Sequence, residues 1–123
     1  MIKRFLIAPP YLQFFISDPA ARNSPHQVER PTVISSGDCL SVLCQYADEG
    51  QTELIVGDFD EVADEGGLAY DGSIPTPNKV LWFADAELTE LARVPVSTNV
   101  TRLRIFTDGL QFPERVVIGI APG

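Results

Sequence analysis

The stretch TRLRIFT, residues 101–107, indicates the fold class because its side chains alternate strictly. Threonine, leucine and isoleucine occupy the odd positions, whereas two arginines and a phenylalanine occupy the even ones. Successive side chains of a β-strand point to opposite faces, so a period of two predicts a strand with one dry face and one wetter face. Residues 39–46 and 115–120 show the same alternation. Three such runs indicate that β-structure dominates the chain.

Further runs with the composition of strands are residues 11–17, 31–35, 52–56, 79–84 and 90–96. Sequences rich in glycine, proline and aspartate separate the runs and predict turns. Residues 85–92 have helical propensity, but we interpret residues 85–87 as a hairpin turn between two strands, with one helical turn as the alternative. Short strands at this spacing are typical of β-sandwiches and of small barrels. We therefore predict an all-β fold, an antiparallel β-sandwich of about seven to eight strands in a single domain.

The predicted core consists of the apolar side chains on the dry faces of these runs. They are Phe14, Ile16, Val42, Cys44, Ile55, Leu81, Phe83, Leu103, Ile105, Val116, Ile118 and Ile120. The run Leu81-Trp82-Phe83 is apolar on both faces. Its strand is therefore predicted to be central in a sheet, with Trp82 as a core residue.

The balance of charge restricts the partners of the chain. Its 123 residues include 17 acidic and nine basic side chains, which give a formal net charge of −8 and a pI near 4.4. Such a chain repels nucleic-acid phosphates and anionic membrane surfaces, so we expect neither as a partner. No apolar run approaches the ~20 residues of a membrane-spanning helix. A basic protein or a cation is the partner that this charge favours.

The cysteines and the amino-terminal residues predict a cytoplasmic protein. If Cys39 and Cys44 share a strand, their odd spacing places them on opposite faces about 16 Å apart, too far for a disulfide. Free thiols are typical of a reducing compartment. The apolar run that follows Lys3 and Arg4 stops after four residues, at Pro9. A secretory signal needs about 7–15 apolar residues, so we expect none here.

The residue patterns of common catalytic sites are missing from the sequence. Its single histidine, His26, lies in a polar loop, and Cys39 has no base beside it in the sequence that would form a thiolate. Neither a phosphate-binding glycine loop nor a Gly-x-Ser-x-Gly motif occurs. Paired carboxylates can hydrolyse glycosides, but an acidic segment alone does not define such a pair. We predict that the chain is not an enzyme and that it needs no cofactor.

Acidic side chains concentrate in residues 48–71. Nine of the 17 carboxylates lie there, and this segment contains no lysine or arginine. Clustered carboxylates steer a basic protein toward themselves and mimic the phosphate charge that arginine and lysine recognise. Aromatic side chains among them supply anchors for an interface. The predicted partner-binding residues are Asp58, Phe59, Asp60, Glu61, Asp64, Glu65 and Tyr70.

The sequence is also compatible with several other functions of the protein. Calcium binding is one, with Asp58, Asp60 and Asp64 as ligands, although the EF-hand motif itself fails because Val62 stands where an oxygen ligand belongs. A carbohydrate-binding module is another, with Trp82 stacking on a sugar. A structural subunit of a larger assembly, or a homo-oligomer formed through strand edges, is a third. A solvated loop that only confers solubility is the fourth.

Two stretches resemble a known family. YLQFFI, residues 11–16, resembles the Tyr-x-Gln-Phe-x-hydrophobic strand of ComJ-type competence proteins. RVPV, residues 93–96, with the two strands after it, resembles the closing β segment of that family. Members of the family are small acidic β proteins that inhibit a partner nuclease, and related small β proteins serve as immunity proteins against nuclease toxins. The resemblance therefore implies an inhibitor or immunity factor for a nuclease, and it assigns no individual site residue.

Overall fold

The structure of the protein is a computed structural model, which describes residues 2–9, 12–21, 32–45, 47–62, 67–109 and 112–121. Within these ranges the chain forms ten β-strands and a single-turn helix, α1 (Phe59–Val62). The strands are β1 (Lys3–Ile7), β2 (Gln13–Ser17), β3 (Val33–Ser35), β4 (Cys39–Leu43), β5 (Thr52–Asp58), β6 (Gly67–Pro75), β7 (Val80–Asp85), β8 (Glu90–Pro95), β9 (Val100–Thr107) and β10 (Arg115–Ile120). A turn of 3-10 helix, Ala47–Glu49, precedes β5. No helix in the described ranges is both long and apolar enough to traverse a bilayer.

The ten strands form two five-stranded sheets. Sheet 1 has the order β1-β5-β10-β9-β6, and sheet 2 has the order β3-β4-β2-β7-β8. Among the described strands, every pairing is antiparallel except that of β5 with β10, which is parallel. Parallel neighbours need a long crossover connection, and the chain from α1 to β9 supplies it. Because β5 and β10 run the same way, Asp58 and Ile120 lie side by side where both strands end.

One hydrophobic core joins the two sheets. Phe14 and Phe83 of sheet 2 belong to the same cluster as Leu54 and Ile105 of sheet 1, and all four side chains are completely buried. Each such side chain contributes about 1.5–3 kcal/mol through its burial, so this cluster is the main source of stability. Every residue predicted for the core is buried except Ile120, which is half-buried against the same cluster, and Trp82.

The fold differs from the sequence prediction in strand number and pairing. The all-β prediction is confirmed, but there are ten strands instead of about seven to eight, and the β5–β10 pair is parallel. The sequence pattern does not predict β1 or β6. Both are edge strands of sheet 1. The first begins with basic residues and the second contains glycines and a proline, so neither has the apolar alternation of a central strand.

Trp82 does not lie in the core. It is half-buried on the outer face of sheet 2, and its indole Nε1 donates a hydrogen bond to Glu90 Oε1 at 3.0 Å. Its strand β7 is internal to the sheet, between β2 and β8, as the sequence predicts. The predicted turn at residues 85–87 is also confirmed, because the carboxylate of Asp85 accepts hydrogen bonds from the backbone amides of Glu87 and Thr89.

Both cysteines are free and buried, so the prediction that they do not bond to each other is confirmed. Cys44 belongs to the core shared by the sheets, whereas Cys39 faces the opposite side of β4. Burial raises the pKa of Cys39 to about 11 and that of Cys44 to about 12, because a thiolate loses its hydration in the interior. Both side chains are therefore neutral thiols that pack as small apolar groups.

Candidate partner-binding site

The acidic turn, residues 58–61, consists of the last residue of β5 and the first three residues of α1. Asp58 precedes the helix, and its backbone N–H donates to Glu61 Oε1 at 2.9 Å. A glutamate at the third helical position that reaches back to the N-cap amide is half of a capping box. The sequence Asp-x-x-Glu therefore favours the start of a helix at this point. Asp58 and Asp60 are exposed, so the turn presents two carboxylates to solvent.

Two glycines allow α1 to lie directly on the outer face of sheet 1. Gly57 of β5 and Gly119 of β10 are register partners. A Cβ atom on Gly119 would lie 3.1 Å from Val62 Cγ2 and 3.3 Å from Phe59 Cδ1. A Cβ atom on Gly57 would lie 3.0 Å from Val62 Cγ1. A side chain at either residue of this glycine pair would be in tight contact with Val62, which would have to give way by a few tenths of an ångström. Because both positions are glycine, Val62 is buried against the sheet, in a small second cluster with Ile55.

Two arginines of β9 lie over the aromatic ring of Phe59. The guanidinium carbon is 4.4 Å from the ring centre for Arg104 and 5.7 Å for Arg102, within the ~6 Å reach of a cation–π interaction. Asp71 of β6 accepts hydrogen bonds from Arg102 Nη2 at 2.9 Å and from Arg104 Nε at 3.3 Å. The bond from Arg102, above all, holds the pKa of Asp71 below its usual 3.8. We call the group formed by Phe59, Asp71, Arg102 and Arg104 the arginine clamp.

Folding divides the acidic segment instead of gathering it on one surface. Asp71 is paired within the arginine clamp, and Glu53 forms an ion pair with Arg115, with 3.2 Å between Oε1 and Nε. The turn Ala47–Glu49 lies before β5 and the acidic turn lies after it. A strand of seven residues spans about 20 Å, so these two exposed acidic groups are far apart. Residues 48–71 contain no lysine or arginine, but in the folded chain arginines from other strands lie beside some of their carboxylates.

The structure brings together some of the predicted partner-binding residues. Those in the acidic turn are Asp58, Phe59, Asp60 and Glu61. Asp64 and Glu65 lie outside the described residues. Tyr70 is half-buried against the shared core, on the inner face of sheet 1, whereas α1 covers the outer face. The binding role of all seven residues stays a prediction, and Tyr70 does not adjoin the acidic turn.

A pocket of about 510 Å³ opens beside the acidic turn, and we call it the edge pocket. The acidic residues Asp58 and Asp60 line one side, residues 94–97 line another, and Lys3 and Ile120 contribute to the rest. Its position follows from the parallel pairing, which ends β5 and β10 at the same edge of sheet 1. These residues come from separate segments of the chain with no common motif, so the sequence does not predict the pocket.

The structure leaves the calcium hypothesis as a prediction. Among the described residues, no three His, Cys, Asp or Glu side chains are grouped so that they could hold a metal ion. Asp64, the third predicted ligand beside Asp58 and Asp60, lies outside those residues, as does the single histidine, His26.

These features define a class: an all-β protein of two sheets, with a helical turn on the outer face of a mixed sheet and a pocket beside an acidic turn.

No family model and no curated protein matches the sequence. Two solved structures match along almost the whole chain. ComJ from Bacillus subtilis, an inhibitor of the DNA-degrading activity of NucA, superposes with a TM-score of 0.69 over 100% of this chain and 96% of ComJ, at 8% identity. The product of crocagin biosynthetic gene J superposes with a TM-score of 0.58 over 99% of this chain and 98% of that one, at 10% identity.

The likeness to ComJ confirms, at the level of the fold, the resemblance found in the sequence. Of the two stretches that carry that resemblance, residues 13–16 lie in β2 and residues 93–95 lie in β8, both in sheet 2. At 8% identity the likeness concerns the fold alone, and individual residues of ComJ have no counterpart that can be assigned here.

Proposed function

We propose that this protein binds and inhibits a basic nuclease and has no catalytic activity of its own. The acidic turn makes the contact, and it recognises arginine and lysine side chains of the partner. The observation that supports this proposal best is the fold shared with ComJ, an inhibitor of a nuclease. The proposed compartment is the cytoplasm, with which the two free, buried thiols are compatible.

The electrostatics of the acidic turn suit such a partner. A nuclease binds DNA by neutralising phosphates with basic side chains, so its DNA-binding surface attracts carboxylates as well. In the described part of the chain, neither Asp58 nor Asp60 forms an ion pair, whereas Asp71 and Glu53 do. The carboxylates of Asp58 and Asp60 are therefore available to an external partner. The formal net charge of −8 adds attraction at longer range.

The acidic turn is also held in one conformation. Its first amide is capped by Glu61, Val62 is buried on the glycine pair, and the Phe59 ring is covered by Arg102 and Arg104. A surface that is ordered before binding loses less conformational entropy when the partner arrives. The rigidity of this short segment thus favours its use as a recognition surface.

The proposal is tested by capture followed by a nuclease assay. The purified chain is immobilised and exposed to extract of the cells that produce it, at about 20 mM and about 0.5 M salt. We expect a basic protein that degrades DNA to be retained at low salt and released at high salt. Added free chain should then stop DNA degradation by that protein. A retained nuclease whose activity is unchanged by the free chain would contradict the proposal, as would capture that does not depend on salt.

A further inference from the structure

We propose that the edge pocket receives a long cationic side chain, arginine or lysine, of the partner. This inference rests on the proposed function and adds to it the chemical group that is bound. At about 510 Å³ the pocket has the size of sites that bind small ligands. An extended side chain that enters from a neighbouring protein therefore fits it.

The walls of the edge pocket suit the aliphatic part of such a side chain. Val94 is buried, and Val96 and Ile120 are half-buried and pack against the shared core. Arginine and lysine carry three or four methylene groups, which are stabilised by apolar surface while the charged end stays at the rim. Polar and apolar surface contribute about equally to the lining, and the apolar part suits a long cation better than a compact one such as a metal ion.

The charges at the mouth select a cation over an anion. Asp58 and Asp60 line the pocket, and both are exposed. Carboxylates accept charge-assisted hydrogen bonds from guanidinium or ammonium groups, and they repel a phosphate or a second carboxylate. Lys3 is the single base among the described residues that line the pocket, so it opposes the entry of a cation. Removal of the Lys3 charge should therefore strengthen the binding of a cation and weaken the binding of an anion.

The backbone around the edge pocket is fixed by hydrogen bonds. The amide of Val96 donates to the carbonyl of Lys79 at 3.0 Å, and the amide of Ala121 donates to the carbonyl of Arg102 at 3.0 Å. The two walls are thereby tied to neighbouring segments of sheet 2 and sheet 1. A pocket with walls held in this way requires little rearrangement when a side chain enters.

The proposal is tested first without a partner, by titrating the isotope-labelled full chain with n-butylguanidinium and following its amide NMR signals. We expect shifts at Asp60, Ser97 and Ala121, and an affinity well above that of guanidinium alone, by about fourfold for each methylene buried. Equal affinities for the two cations, shifts located elsewhere, or tighter binding of n-butyl phosphate would overturn the proposal.

Single substitutions give the sign of the charge preference. Lys3→Gln should tighten the binding of n-butylguanidinium by about two- to fivefold, and Asp60→Asn should weaken it by a similar factor. Glu49→Gln, at the other end of β5, is the matched control and should change nothing. The opposite signs would show an anion site and refute the inference. Melting temperatures of the variants establish that each chain is folded.

A last variant separates this inference from the proposed function. Ser97→Trp places a large side chain in the edge pocket, whereas Asn99→Trp alters the same bend outside it. We expect only Ser97→Trp to lose inhibition of the captured nuclease. Full inhibition by Ser97→Trp would refute the pocket inference and leave the proposed function intact. Binding of n-butylguanidinium by a wild-type chain that inhibits no nuclease would support the pocket and refute the function.

Discussion

The guanidinium carbon of Arg104 lies 4.4 Å from the centre of the Phe59 ring. Arg104 is also a register partner and hydrogen-bond donor of Asp71, which lies on the edge strand β6. One arginine therefore connects α1, β9 and β6. The positive charge of Arg104 is engaged in contacts within the molecule, and these contacts help to fix α1, which contains most of the acidic turn.

A double-mutant cycle measures this contact directly. Phe59→Leu keeps an apolar side chain against the glycine pair but removes the ring, and Arg104→Gln removes the cation. Urea unfolding of the two single variants and the double variant should give a coupling free energy of about 0.5–1 kcal/mol. Phe59→Leu combined with Arg93→Gln is the control, because Arg93 pairs with Glu90 on sheet 2. Additive effects of Phe59→Leu and Arg104→Gln would show that the stacking contributes nothing.

Asp71 makes the free energy of unfolding depend on pH in the acid range. Hydrogen bonds from Arg102 lower its pKa in the folded chain below 3.8, so the unfolded chain binds the proton more readily. The stabilisation is therefore present above about pH 4 and is lost as the pH falls through the lower, folded value. Urea midpoints of the wild type should drop more steeply than those of Asp71→Asn between about pH 5 and about pH 2. Parallel curves for the two proteins would contradict this account of Asp71.

The glycine pair predicts a cost for one added methyl group. Gly119→Ala would place Cβ 3.1 Å from Val62 Cγ2 and 3.3 Å from Phe59 Cδ1, so these two side chains of α1 must give way by a few tenths of an ångström. We expect a loss of about 1–3 kcal/mol in the free energy of unfolding, the usual cost of overpacking. Gly67→Ala is the control, since the nearest heavy atom to its Cβ, the Thr107 carbonyl oxygen, is 4.0 Å away. Equal stability of the two variants would show that α1 does not depend on the glycine pair.

The buried thiols should resist alkylation. With pKa values of about 11 for Cys39 and about 12 for Cys44, almost no thiolate exists near neutral pH, and both groups are covered by protein. Iodoacetamide should therefore modify neither cysteine in the native chain and both in urea, as counted by intact mass. Rapid modification of either thiol in the native chain would contradict the burial described here.

Periodicity predicts a strand well where one of its faces is buried and less well at a sheet edge. In β9 the odd positions from Thr101 to Thr107 are buried and the even ones are more exposed, which is the pattern seen in the sequence. Most side chains of the edge strand β6 are exposed, and pairing with β9 stabilises this strand more than its own composition does. The parallel pairing of β5 with β10 joins distant segments and has no local signature in either one.

Composition locates the acidic turn but not its surroundings. The pattern Asp58-x-x-Glu61 is a helix-start signal that is visible in the sequence, and it would have predicted α1. The contact of Phe59 with Arg102 and Arg104 arises only because α1 lies on β10 and β9 pairs with β10. Long-range pairing of this kind also forms the edge pocket. Neither feature is therefore accessible from local sequence patterns.

The most direct test of the central claim is the rate at which the captured nuclease associates with three versions of this chain. They are the wild type, the double variant Asp58→Asn/Asp60→Asn, and the control Asp48→Asn/Glu49→Gln, which loses the same charge at the other end of β5. At low salt we predict that the first variant slows association about tenfold and the control less than about twofold, with both differences shrinking as salt rises. Equal rates for the two variants would show that only net charge matters and would contradict a binding site at the acidic turn.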